Sequence, residues 1–138
     1  MGRIIVHTNP VDGGTVLTWP APHLRAEDVI HTDCQNANDR TIIEESNLPQ
    51  HFGHFFGSLE HHGNGDVRIN FAKAKEQTKA KLRHDRNEAF APLDIAFQRA
   101  IETGADTSAI VREKQRLRDI TKLADKCTTL EELMTLSI

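Results

Sequence analysis

Histidine is the residue type in this sequence whose spacing most suggests chemistry. The 138-residue chain contains eight histidines, and four of them, His51, His54, His61 and His62, fall within a dozen positions. A zinc site needs three or four such ligands that converge tetrahedrally. His51 and His54 flank a glycine in a predicted loop, and adjacent side chains on a strand point to opposite faces. We therefore predict no metal site, and these four histidines are only weak candidates for ligands.

Other catalytic signatures are missing from the sequence. It contains no HExxH, CxxC or GxSxG motif, and its glycine clusters, Gly13-Gly14 and Gly63-Asn64-Gly65, are typical of turns rather than of phosphate-binding loops. The two cysteines, Cys34 and Cys127, lie far apart, neither is expected in the core, and their disulfide state is open. We predict no catalytic residue and no cofactor. A metal-dependent enzyme that uses His51, His54 and one of His61 and His62 is a distant alternative.

The first half of the chain has the composition of a small β-rich module. The dipeptide Asn64-Gly65 is a strong hairpin signal because both residues accept a positive φ. The aromatic residues Phe52, Phe55 and Phe56 are expected to fill a small core. The expected elements are a hairpin at 3–19, one or two helical turns at 25–32, a short strand at 40–45 and a second hairpin at 58–71.

The composition changes at residue 72, where helix-forming residues begin to dominate. Gly104 is the expected turn between two helices, and Pro92 is expected to kink the first helix or to begin a new one. A capping box, Thr129 to Glu132, predicts a further short helix. The predicted fold class is α+β: an antiparallel β-hairpin module at 1–71, a long αα-hairpin at 72–126 and a short amphipathic terminal helix at 127–138.

The apolar stripe of the helical hairpin is the candidate interaction site. A straight helix at about 1.5 Å per residue would make the first arm roughly 45 Å long, which one returning helix covers only in part. We therefore predict a homo-oligomer or a bound partner. Charged residues Asp94 and Arg99 are expected to pair with Arg118 and Asp119 on the other arm. The candidate interaction residues are Leu82, Phe90, Leu93, Phe97, Leu117 and Ile120.

The distribution of charge narrows the classes of partner. The net charge is −3, with −5 in residues 1–71 and +4 in residues 72–126. We interpret the basic surplus between Lys73 and Arg86 as a solvated helix face; a phosphate-binding surface and an acidic protein partner are the open alternatives. No apolar run approaches the roughly 20 residues of a membrane span. We therefore predict neither a nucleic-acid nor a membrane partner.

Three runs of the helical part resemble a known group of proteins. The runs are Leu82-Arg-His-Asp-Arg-Asn-Glu88, Leu93-Asp-Ile-Ala-Phe-Gln-Arg-Ala100 and Glu113-Lys-Gln-Arg-Leu-Arg-Asp-Ile-Thr121. They resemble the C-terminal region of small tailed-phage and prophage proteins of the tail-fibre-assembly and tail-assembly-chaperone group. Many members carry Trp or Tyr where this chain has residues 112–115, and this departure favours a structural role over a chaperone role.

The resemblance implies a non-enzymatic tail-region protein. Its expected partners are other phage tail proteins, at the tail fibre or the baseplate. The expected role is that of a small structural adaptor in the virion, made in the cytoplasm of the host bacterium. The alternative is a tail-fibre assembly chaperone that is not retained in the virion.

Overall fold

The structure is a computed structural model that describes residues 2–33 and 39–138. The chain divides into two compact units, Met1–Asn70 and Phe71–Ile138. The first unit contains two small antiparallel sheets and a short helix, and the second is helical. The predicted α+β class is confirmed. The second unit contains both the helical hairpin and the short terminal helix.

The larger sheet of the first unit has three strands in the order β2-β1-β3. They are β1 (Arg3–Thr8), β2 (Thr15–Thr18) and β3 (Thr41–Glu44). Both neighbours pair antiparallel with β1, so that Val6 lies opposite Leu17 on one side and Thr41 on the other. Since β-branched residues fit a pleated, half-buried surface, the sequence favours strands here. The predicted first hairpin and short strand are confirmed.

The smaller sheet is the second predicted hairpin. It pairs β4 (Leu59–His61) with β5 (Val67–Ile69). Asn64 and Gly65 have φ angles of 54° and 77°, as a turn of this kind requires. Strand β5 is shorter than expected, because Phe71 begins the first long helix instead of extending the strand. The run of helix formers that follows this residue explains the difference.

Successive residues of β1 point to opposite faces and serve two apolar clusters. Ile5 packs with the helix α1 (Ala26–Asp33), which matches the predicted helical turns. The other face of the strand supports the larger cluster, which contains Ile4, Val6, Leu17, Leu48, Leu59 and Val67.

Two of the three clustered phenylalanines, Phe55 and Phe52, contribute to the core as predicted, and Phe52 packs against it from a partly buried position. Phe55 is fully buried. Phe56 begins a short 3-10 turn and is 45% exposed, so its predicted core position is wrong. Phe52 is partly buried and stacks on Trp19, with 6.3 Å between ring centroids. The spacing of three aromatic residues in a loop does not specify their faces, since a loop has no regular period.

The second unit contains three helices, α2 (Phe71–Thr103), α3 (Ser108–Lys126) and α4 (Leu130–Met134). The helix α2 continues through Pro92, so no new helix begins there. Because proline has no backbone N–H, the carbonyl of Glu88 loses its helical hydrogen bond. Both residues are exposed, so water can replace that bond. Gly104 has a φ of 70° and ends α2 as predicted.

Side-chain hydrogen bonds lie at the starts of α3 and α4, and the one at α4 is the predicted cap. Asp106 Oδ1 accepts a hydrogen bond of 3.0 Å from the backbone N–H of Ser108, and Thr129 Oγ1 accepts one of 3.2 Å from Glu132. Helix α4 packs against α2 and buries Leu133. Cys127 follows α3 directly and is only 6% exposed, so its predicted non-core position is wrong. Cys34 lies outside the described residues.

Candidate functional site

His61 is the one candidate histidine whose side chain is fully buried. Its Nδ1 lies 3.1 Å from Asp39 Oδ2 and 3.2 Å from Thr8 Oγ1. Its Nε2 accepts a hydrogen bond of 3.1 Å from the backbone N–H of Gly65. We assign the proton to Nδ1 from this arrangement, because Nε2 must supply a lone pair to Gly65.

Asp39 completes this buried polar cluster. Its Oδ1 accepts a hydrogen bond of 2.9 Å from the backbone N–H of Thr8. Burial raises the pKa of the Asp39 carboxyl, but hydrogen bonds from Thr8 and the nearby His61 ring outweigh that effect, so the pKa is lowered overall. The carboxylate form is therefore favoured where Asp39 joins β1 to β4.

Threonine, histidine and aspartate together have the composition of a hydrolytic triad, but not its geometry. In a triad the nucleophile and the carboxylate lie at different ring nitrogens, so that one can accept a proton while the other orients the ring. Here Thr8 and Asp39 both lie at Nδ1 of His61, and Gly65 occupies Nε2. The arrangement ties three segments together and leaves no ring nitrogen to act as a base.

The other three candidate histidines make separate contacts. His62 Nε2 lies 3.3 Å from Glu60 Oε2, and the side chain is 44% exposed, which confirms that only one of the adjacent pair faces inward. His54 packs edge-on against Phe55, and His51 has a φ of 68°. In residues 2–33 and 39–138, no group of three or more His, Cys, Asp or Glu side chains could hold a metal ion.

The six candidate interaction residues separate into two groups. Leu82, Leu117 and Ile120 are 1%, 2% and 3% exposed, so they belong to the interior of the helical unit. The remaining three, Phe90, Leu93 and Phe97, are partly buried. The structure therefore assigns half of the predicted set to internal packing and leaves the other half partly accessible.

The part of the hairpin nearest its turn is much less buried than the part near α4. We call residues 83–116 the distal arms. The structure describes all of these residues, and none of them is buried. Three apolar side chains are largely exposed here: Ile95 at 53%, Ile101 at 58% and Val111 at 47%. Singly exposed apolar residues are common, but a segment of this length without any interior is not.

The charge pairs that connect the two arms differ from the predicted ones. Asp94 pairs with Lys114, at 2.6 Å between Oδ1 and Nζ, rather than with Arg118. Asp119 pairs with Lys122 on its own helix. A second cross-arm pair joins Lys79 to Asp125, and the Lys79 ammonium lowers the pKa of that carboxyl. Sequence spacing identified the charged positions but not the register of the arms.

Sequence reasoning missed two features of the distal arms. Ile95 lay outside the selected apolar stripe, although its exposure is among the largest in the helical unit. Arg86 was interpreted as part of a solvated basic face and Arg118 as a register charge, whereas both line one cavity with Lys114. The sequence signal for the cavity was the presence of cationic residues on both helices. It predicts a cavity only once the alignment of the two helices is known.

Comparison with family models, curated proteins and solved structures yields no match to this chain. The resemblance carried by residues 82–121 therefore stays a prediction. Within the part of the chain that the structure describes, no helix is long and apolar enough to cross a bilayer.

Proposed function

We propose that the protein is a non-enzymatic phage tail protein, retained in the virion as a structural adaptor at the tail fibre or baseplate. The observation that carries the proposal is the pair of distal arms, which contain no buried residue and expose Ile95, Ile101 and Val111. Covering apolar surface of this kind favours association by about 25 cal/mol for each Å² removed from water. Other tail proteins and further copies of this chain are the partners that would cover it.

The role of an adaptor also agrees with the chemistry of the first unit. Its buried histidine is held by Asp39, Thr8 and Gly65, in an arrangement that stabilises a fold rather than activates a nucleophile. We infer that the protein is made in the host bacterial cytoplasm and acts through its surfaces. The resemblance of residues 82–121 to tail-fibre-assembly proteins is the reason for proposing that it acts in a phage tail.

Quantitative mass spectrometry of purified particles and of infected-cell lysates tests the proposal. We expect peptides of this chain in virions at a fixed ratio to the tail-fibre or baseplate protein. Detection only in lysates, together with the fibre protein, would assign the chaperone role instead. Absence from both the virions and the fibre-bound fraction would overturn the proposal.

A paired variant links the result to the distal arms. The double variant Ile95→Ser and Ile101→Ser should reduce incorporation, because it removes exposed apolar contact area. Arg99→Ser is the matched control, since Arg99 is an exposed residue of the same arm. Equal incorporation of the double variant and the control would show that these apolar residues do not form the interface.

A further inference from the structure

An open cavity of about 290 Å³ lies between α2 and α3. It is an open pocket within the helical unit, of a size that suits one side chain or a small ion. The residues that line it are Arg86, Asn87, Phe90, Asp94, Lys114 and Arg118.

The residues that line the cavity carry a net positive charge. Three cations and one carboxylate line it, which gives a net charge of +2. Lys114 is paired with Asp94. Among the residues that the structure describes, neither Arg86 nor Arg118 has a carboxylate within ion-pair distance. The two guanidinium groups are therefore the source of the unneutralised charge.

Aromatic rings support two of these cations without neutralising them. The Arg118 guanidinium lies 6.0 Å from the centroid of the Phe90 ring, and Lys114 Nζ lies 5.1 Å from that of Phe97. Such contacts are attractive because the ring face is electron-rich, yet they leave the N–H donors at the edge of a guanidinium available. The charged groups are thus placed before any ligand arrives.

Arg86 adds an unsatisfied donor at the same cavity. Its Nη1 donates to the carbonyl oxygens of Leu117, at 3.4 Å, and Arg118, at 3.1 Å, which fixes the side chain across the arms. Its Nε–H is buried and has no acceptor in the described part of the chain. A buried donor without an acceptor is unfavourable, and most such groups in proteins are satisfied.

We propose that this cavity binds a carboxylate side chain from an acidic segment of a partner protein. A guanidinium presents a planar fork of donors that matches a carboxylate. The net charge of +2 on the lining residues complements the negative charge of a Glu or Asp side chain of a partner protein. The inference rests on the proposed adaptor function, and it names the chemistry of the partner segment.

Titration of the full-length 15N-labelled protein with a peptide that carries one carboxylate tests the inference. The probe is acetyl-Gly-Glu-Gly-amide, and the same peptide with Gln in place of Glu is its control. We expect shifts of backbone resonances around the cavity and of the Arg86 Nε–H resonance with the Glu peptide only. Equal shifts with both peptides would overturn the inference.

Variants of matched charge locate the binding. Arg118→Gln should weaken binding by about tenfold or more, since a hydrogen-bonded charge is removed. Arg112→Gln is the control, because Arg112 is exposed on the same helix and does not line the cavity. Asp94→Asn should strengthen binding several-fold by removing the repelling charge. An equal loss of affinity in Arg118→Gln and Arg112→Gln would show that the peptide binds through general electrostatic attraction. That result would overturn the cavity as the binding site.

Inorganic phosphate is the competing ligand. Should phosphate bind more tightly than the Glu peptide at the same resonances, the cavity is a phosphate site and the acidic protein segment is excluded. The titration involves no phage particle, so it separates two failures. Presence of the protein in virions without carboxylate binding would overturn the partner chemistry alone, whereas carboxylate binding without presence in virions would overturn the adaptor function.

Discussion

The two units of the molecule use their apolar and polar residues in opposite ways. In the first unit Ile4, Ile5, Val6 and Phe55 have no exposed surface at all. In the second, every residue that is buried lies outside the distal arms, at residues 74–82 and 117–133. A strand at the centre of a sheet has two faces and buries both. Two helices packed only on each other leave most of each surface accessible.

The polar groups show the same contrast. The buried His61 ring has a partner at each nitrogen. In the helical unit, Arg86 keeps a buried N–H without an acceptor in the described part of the chain, and the Arg118 guanidinium lies over the Phe90 ring. A unit that satisfies its own groups needs no partner for stability. A unit that does not can contribute those groups to an interface. This difference is the reason why we place the proposed partner surface on the helical unit.

The largest expected effect is the loss of packing near α4. Leu117→Ala removes a side chain that is 2% exposed and should lower the free energy of unfolding by about 2–4 kcal/mol. Urea denaturation followed by circular dichroism measures it. Arg116→Ala is the control: its 2.6 Å ion pair with Glu113 is exposed and on the same helix, so we expect a loss within about 0.5 kcal/mol. Similar losses in both variants would show that the buried face is assigned wrongly.

The next effect concerns the close packing of the first unit. A Cβ atom at Gly65 would lie 2.4 Å from Ile43 Cγ2, and the residue has a φ of 77°. Gly65→Ala should therefore lower the free energy of unfolding by more than the roughly 1 kcal/mol typical of an unfavourable φ alone. Gly63→Ala separates the two causes, because Gly63 has a φ of 86° with open space around it. Equal losses of stability for Gly65→Ala and Gly63→Ala in a thermal melt would show that Ile43 moves aside without an energetic cost.

Local signals in the sequence predicted local structure well. The Asn64-Gly65 turn and the Thr129 cap depend on residues a few positions apart, and both are present as expected. Cys127 and Phe56 were misplaced because their burial depends on how distant elements pack. The cavity was also missed. It depends on the register between two helices, which repeated charges with several possible partners do not determine.

A smaller loss of stability should appear at alkaline pH, and it depends on the thiol of Cys127. Burial, and then the charge of Glu132, raises the pKa of the Cys127 thiol. A raised pKa in the folded state means that stability is full below the ordinary thiol pKa, about 8.5, and falls as the pH rises above it. Denaturation at several pH values, in a Cys34→Ser background, measures the fall. Adding Cys127→Ala should reduce its steepness; an unchanged slope would contradict a buried thiol.

The smallest effect on stability is expected from substitutions in the distal arms. These substitutions should instead weaken association with other chains. Ile95 and Ile101 are 53% and 58% exposed, so Ile95→Ser and Ile101→Ser should each change the free energy of unfolding by no more than about 0.5 kcal/mol. Light scattering should show weaker self-association or fibre binding for the double variant, and Arg99→Ser should behave like the unmodified protein. A large loss of stability without a change in association would mean that the distal arms pack within one chain, and that recognition belongs elsewhere.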